Sequence, residues 1–249
     1  GRQVRLARTR RRDGWMLTAE ELDRVCSEDS DRPRVVILNY PSNPVGATYR
    51  AGELEDIARV ARRHRVLLLS DEIYGELHHR GEHVSIAGYY PEGTIVSGGL
   101  SKWCGAGGWR LGTFVFPPGL SWLLDSMAAA ASETFTSTSA PIQYAAVTAF
   151  EGGPEIEAYL RASRRVLAAL GGYAYRTLTA AGIGCVPPTG GFYLWPELTA
   201  LADSLAERGI HESPTMTETL LDETGVAILP GSVFGRDPGE LVARIAYVD

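Results

Sequence analysis

Val66-Leu67-Leu68-Leu69-Ser70-Asp71-Glu72-Ile73-Tyr74 is an apolar run that stops on two acids and a phenol. Its apolar residues do not alternate with polar ones. Unbroken hydrophobicity over such a length marks a strand buried on both faces, as in a parallel sheet. Two further runs repeat the arrangement. Val35-Val36-Ile37-Leu38 leads into Asn39-Tyr40-Pro41-Ser42-Asn43-Pro44, and Thr94-Ile95-Val96 leads into Ser97-Gly98-Gly99-Leu100-Ser101-Lys102. Ahead of Val66 lies Ala51–Arg65, where Leu54, Ile57, Ala58 and Ala61 recur at helical spacing. Strand, helix and strand in that order make a βαβ unit. A fourth run, Leu111–Phe116, follows Gly108-Trp109-Arg110 and is expected in the same sheet.

From Leu120 the chain reads as helical, rich in alanine around Ala128–Ala131 and Ala145–Phe150. Gly152-Gly153-Pro154 interrupts it, and a long amphipathic helix with Ile156, Tyr159, Leu160 and Val166 follows. After Gly182 the texture changes to short strands and turns, at Gly190–Trp195, Val226–Leu229 and Leu241–Val248. The expected fold is therefore α/β: a doubly wound, mostly parallel sheet over 1–151, a connecting helix over 152–181, and a smaller α+β unit over 182–249.

Composition narrows the function classes. The chain has 249 residues, 45% hydrophobic and 22% charged, which suits a soluble globular protein. No apolar stretch is long enough to span a bilayer, and no signal-peptide pattern opens the chain. Cys26, Cys104 and Cys185 lie far apart and are odd in number, so the cytoplasm fits better than a disulfide-forming compartment. His78 and His79 are adjacent and point in different directions, and no metal site is expected. A net charge of −6 argues against a general polyanion binder. The cluster Arg2, Arg5, Arg8, Arg10, Arg11 and Arg12 contains no aromatic and is read as a solvated edge rather than a nucleic-acid arm.

In an open α/β sheet, ligands sit beyond the carboxyl ends of the strands. Asn43, Asp71, Tyr74 and Lys102 all follow apolar runs, which makes them candidates for one crevice. An acid, an amine, a phenol and an amide together suit a cofactor with a basic ring nitrogen, a phenolic oxygen and an aldehyde.

Six segments resemble the class I/II aminotransferases of fold type I, in that family's order. They are Asn39–Gly46, Ser70–Tyr74, Leu100–Gly112, Gly190–Leu194, Leu229–Gly235 and Ala243–Tyr247. The resemblance implies the large domain of a pyridoxal 5′-phosphate-dependent transferase followed by its small domain. It also implies amino-group transfer between an amino acid and a 2-oxo acid. Lys102 would hold the cofactor as an internal aldimine, and Asp71 would pair with the pyridinium nitrogen. Tyr74 and Asn43 would bond the phenolic oxygen. Arg110 would grip the phosphate with Ser101 nearby, and Arg244 would take the substrate carboxylate through its planar fork. A homodimer is expected on the same ground, and Tyr193 and Trp195 are assigned to the core. Pro44 is expected to follow a cis bond.

Departures from the family pattern are also expected to matter. The chain is expected to lack the family's N-terminal part and extreme C-terminus, leaving an unpaired sheet edge. Gly99 stands where many relatives carry a phosphate-binding serine, and Thr134–Thr138 carries no arginine of the kind found in dicarboxylate-specific relatives. Two alternatives stay open: a pyridoxal-phosphate lyase or synthase of the same fold, and a non-catalytic aminotransferase-like domain of a transcriptional regulator.

Overall fold

The structure, a computed structural model, describes residues 4–28 and 33–248. Helix α1 (Ala19–Ser27) begins where the Thr18 hydroxyl accepts from the Glu21 amide, a side-chain cap for an otherwise free N–H. Strand β1 (Val35–Asn39), helix α2 (Ala51–Arg63) and strand β2 (Leu67–Asp71) form the βαβ unit. Strands β3 (Thr94–Gly99) and β4 (Gly112–Val115) complete a sheet of order β1-β2-β3-β4. The first two pairings are parallel and the third is antiparallel. The Leu100–Leu111 connection holds only a 3₁₀ turn and no crossover α-helix, so the fourth strand returns antiparallel.

Helices α1 and α2 cover one face of this sheet. Leu22, Cys26, Leu54, Ile57 and Ala61 meet Leu38, Tyr40, Leu68 and Ile86 in one buried cluster. Each large side chain withdrawn from water there contributes about 1.5–3 kcal/mol. The opposite face differs from the doubly wound expectation. Val35 and Ile37, on alternate positions of β1, are 61% and 67% exposed, whereas Leu68 on the covered face is 0% exposed. Among the described residues, helices pack on β1 and β2 from one side only.

Helices α3 (Ser121–Thr134), α4 (Ala140–Glu151) and α5 (Pro154–Ala180) follow. Ala146 of α4 and Leu160 and Leu167 of α5 join Tyr74, Leu77, Leu100, Trp103, Leu111 and Tyr193 in a second cluster. Helices α4 and α5 therefore pack beside the ends of β2 and β3, whereas α3 buries no side chain. Among the described residues, no helix is long and apolar enough to cross a membrane.

A second sheet is built from β5 (Tyr193–Leu194), β6 (Leu229–Pro230) and β7 (Ala243–Ala246), in the order β5-β7-β6 with both pairings antiparallel. Its strands are shorter than the apolar segments that foreshadow them. Between β5 and β6 lie helices α6 (Ala202–Ala206) and α7 (Ser213–Thr224), in a stretch read from sequence as strands and turns. The start and stop of α7 are nonetheless written locally, in Pro214 of its first turn and in Gly225, left-handed at its C-terminus.

Candidate active site

Parallel register aligns the three strand ends. Asn39 pairs with Asp71, and Asp71 pairs with Ser97, so three polar side chains form one row across β1, β2 and β3. Asp71 is held from both sides. The Asn39 amide nitrogen donates to Asp71 Oδ2 at 2.9 Å, and the Ser97 hydroxyl donates to Oδ1 at 3.2 Å. The Ile73 amide adds a longer bond to Oδ1 at 3.4 Å.

Asn39 also reaches forward, its Oδ1 accepting from the Asn43 amide at 2.7 Å. That bond fixes the loop after β1, where the Asn43–Pro44 bond is cis, as expected from the resemblance, and Tyr40–Pro41 is cis as well. The Asn43 side chain meets the second sheet. Its Oδ1 accepts from Arg244 Nη1 at 3.1 Å, a contact spanning 201 positions of sequence.

Arg244 sits on β7 with its guanidinium carbon 4.6 Å from the centre of the Tyr193 ring and 5.3 Å from that of Phe234. Its Nε is buried and has no hydrogen-bond partner among the described residues. Tyr193 Oη lies 3.0 Å from Tyr74 Oη, and both residues are buried. Burial above all, then the neighbouring Tyr193 hydroxyl and the Asp71 charge, push the Tyr74 phenol far above its ordinary value, against a smaller pull from Arg244. The upward shift favours the neutral, protonated phenol.

Lys102 lies in the turn after β3. Its Nζ is 5.8 Å from the centre of the Tyr74 ring and 6.0 Å from that of Phe192. Among the described residues the amine makes no hydrogen bond or ion pair.

The contacts thus run unbroken from Asp71 through Asn39, Asn43, Arg244 and Tyr193 to Tyr74, with Lys102 beside the last. This donor set suits pyridoxal 5′-phosphate: an anion for a ring nitrogen, an amide and a phenol for an oxygen, and an amine for an aldehyde. Asn39, Ser97 and Tyr193 were not foreseen as parts of it. Asn39 and Ser97 did leave a signal, since each closes an apolar run and parallel register must align such ends.

Two expected members stand apart. Arg110 is exposed, in a left-handed turn (φ 55°), and its Nη1 donates to the Gly107 carbonyl at 2.8 Å. Ser101 is half-buried, and its hydroxyl has no hydrogen bond among the described residues. Gly99 has a structural reason to be glycine. At φ 152° a Cβ would stand 2.5 Å from the Leu111 carbonyl oxygen, so a serine there would force β3 and β4 apart. Tyr193 and Trp195 are buried, in line with their core assignment.

A family model, "Aminotransferase class I and II", matches residues 1–248. An aspartate aminotransferase of Bacillus sp. (strain YM-2) is 36% identical over 239 residues, covering 94% of this chain and 57% of the relative. An aspartate/prephenate aminotransferase of Thermus thermophilus is 32% identical over 212 residues, covering 85% of this chain and 52% of the relative. Among solved structures, a mutant aspartate aminotransferase of Thermus thermophilus superposes with a TM-score of 0.84 at 29% identity, covering 97% of this chain and 61% of that one. The aromatic aminotransferase of Pyrococcus horikoshii OT3 gives 0.83 at 30% identity, with the same coverage of 97% and 61%. The chain therefore spans under three fifths of the length of these curated relatives. With the matched model running almost from end to end, the chain belongs to the class I and II aminotransferases, a family dependent on pyridoxal 5′-phosphate.

Proposed function

We propose that this chain supplies the pyridoxal-phosphate-binding and carboxylate-binding residues of an enzyme that moves an amino group between an amino acid and a 2-oxo acid. The observation that carries the proposal is the continuous line of contacts from Asp71 to Tyr74, ending beside the unpartnered amine of Lys102. A further observation favours Lys102 as the attachment point: it is the only lysine in the chain, every other strongly basic side chain being arginine. An arginine guanidinium stays charged and cannot serve as the nucleophile.

Pyridoxal 5′-phosphate, when bound, supplies an electron sink for the carbanion formed at the substrate Cα. The residues divide the remaining work. The Asp71 carboxylate, steadied by Asn39 and Ser97, keeps a proton on the ring nitrogen. Tyr74 and Asn43 donate to the phenolic oxygen. Lys102 Nζ would hold the cofactor through its aldehyde carbon and would serve as the base that moves the substrate Cα proton. Arg244, held by its Nη1 bond to Asn43, would offer the rest of its fork to the substrate carboxylate. Arg110 and Ser101 would face the phosphate. The exposed Arg110 fork, bonded here to the Gly107 carbonyl, would exchange that bond for phosphate oxygens.

We also read the assembly as a homodimer in the cytoplasm. Exposed Trp122, Tyr144, Phe150, Tyr159 and Tyr173 on α3, α4 and α5 suit burial against a second copy, and three free cysteines suit a reducing compartment. The test of the functional reading is spectroscopic. Mixed with pyridoxal 5′-phosphate, the full chain should gain a visible band that is absent in Lys102→Ala; an unchanged spectrum in both would sink the reading.

A further inference from the structure

We propose that Tyr193 is a positioning residue of this site: its hydroxyl donates to Tyr74 Oη and thereby aims the Tyr74 proton at the cofactor's phenolic oxygen. The proposal rests on the reading above, in which Tyr74 serves that oxygen.

The argument starts from proton counting. Two hydroxyls 3.0 Å apart share one hydrogen bond, so one donates and the other accepts. Among the described residues, the Tyr193 hydroxyl has no other hydrogen-bond partner. If Tyr74 donated to Tyr193, the Tyr74 proton would be spent inside the pair and nothing would remain for the cofactor. With Tyr193 as donor, its proton goes to Tyr74 Oη and the Tyr74 proton stays available for the cofactor.

Tyr193 is built to hold that direction. Its backbone lies in β5, paired with Ala246 of β7. The Arg244 guanidinium covers its ring at 4.6 Å, Phe192 lies 4.7 Å away, and Tyr74 meets it edge-on at 5.6 Å. A cation over the ring face draws electron density from the phenol and makes it a stronger donor. A polarised donor strengthens the next hydrogen bond in the chain, by roughly 10–30% per bond. Core packing and function are therefore combined in one side chain: the ring fills the cluster around Tyr74, and the hydroxyl sets a proton.

Tyr193→Phe separates the two roles, because it keeps the ring beneath Arg244 and deletes only the hydroxyl. The measurement is a pH titration of the visible cofactor band in the full chain loaded with pyridoxal 5′-phosphate. Weaker donation to the phenolic oxygen leaves more negative charge on it, and that charge holds the proton of the lysine linkage more tightly. The apparent pKa of the linkage should therefore rise in Tyr193→Phe, by roughly 0.1–0.7 pH unit. Tyr74→Phe should raise it further, and the double variant should match Tyr74→Phe alone, since Tyr193 acts only through Tyr74. An unchanged pKa in Tyr193→Phe, or a shift that adds in full to that of Tyr74→Phe, would overturn the proposal while leaving the cofactor reading intact. A wild-type chain with no Lys102-dependent band would overturn both.

Discussion

Asp71 and Glu72 are neighbours in the chain, yet their carboxylates work on opposite faces of one sheet. Glu72 turns to the covered side. There it accepts from Ser70 Oγ at 2.9 Å, Ser85 Oγ at 2.6 Å, Tyr40 Oη at 3.2 Å and His83 Nε2 at 2.8 Å. Three of those donors converge on Oε1 and His83 meets Oε2, so Glu72 is the more heavily bonded of the two acids. Its amide also donates to the Ser97 carbonyl at 2.9 Å, which ties the ends of β2 and β3 together. Asp71 turns to the open side, with one good bond from Asn39 and two longer ones from Ser97 and Ile73. It keeps acceptor capacity in reserve. The contrast teaches how to tell a structural acid from a candidate functional one: count the unfilled lone pairs rather than the charges.

The two carboxylates should respond differently to mutation. Glu72→Ala would take this acceptor from two buried donors, Ser70 and Tyr40, and two half-buried ones, His83 and Ser85, and should cost about 3–5 kcal/mol of stability, read from the urea midpoint. A loss below about 1 kcal/mol would break the comparison at its root. Asp71→Asn should do the converse. Pyridoxal-phosphate affinity should fall by a charged hydrogen bond's worth, about 1.5–3 kcal/mol, while the urea midpoint moves by less than about 1 kcal/mol. Fluorescence or absorbance titration with the cofactor measures the first quantity.

Gly99→Ser tests the covalent frame beneath both. Its Cβ would collide with the Leu111 carbonyl, so stability should drop by about 1–3 kcal/mol even though the new hydroxyl matches the serine of many relatives. Smallest is the effect of acid. Burial alone would push the Glu72 carboxyl up, but the bonds from His83, Ser85 and Ser70 and the nearby imidazole outweigh it and hold it below the usual glutamate range. A depressed carboxylate stabilises the fold above its unfolded value and loses that contribution as pH falls through the folded one. Stability should therefore decline as pH drops below about 4.3, and the part due to this group should vanish in Glu72→Gln. Equal slopes in the two proteins would show that Glu72 titrates alike folded and unfolded.

Much of this was legible in sequence, for identifiable reasons. Unbroken runs such as Val66–Leu69 and Val35–Leu38 carry strand identity locally, and the helical spacing of Leu54, Ile57 and Ala61 carries α2. Lys102, Asp71, Tyr74 and Asn43 could be named as candidates because each lies within a few residues of the end of such a run. What could not be read depends on packing between distant segments. Tyr193 meets Tyr74 across 119 positions, and no local pattern announces that. The exposed face of β1 was hidden for a related reason: Val35 and Ile37 have the composition of buried residues, and their burial depends on what lies over them. Glu72 was invisible as a structural anchor because its donors Ser85 and His83 come from a loop with no periodic signature.

The claim on which the rest depends is that Lys102 carries the cofactor. Borohydride reduction of the chain mixed with pyridoxal 5′-phosphate, followed by peptide mapping, tests it directly. A single lysine makes the outcome simple to read. The account predicts one stable pyridoxyl adduct, on the peptide containing Ser101-Lys102-Trp103, and none on that peptide in Lys102→Ala. An adduct confined to the N-terminal amine, or no adduct at all, would contradict it.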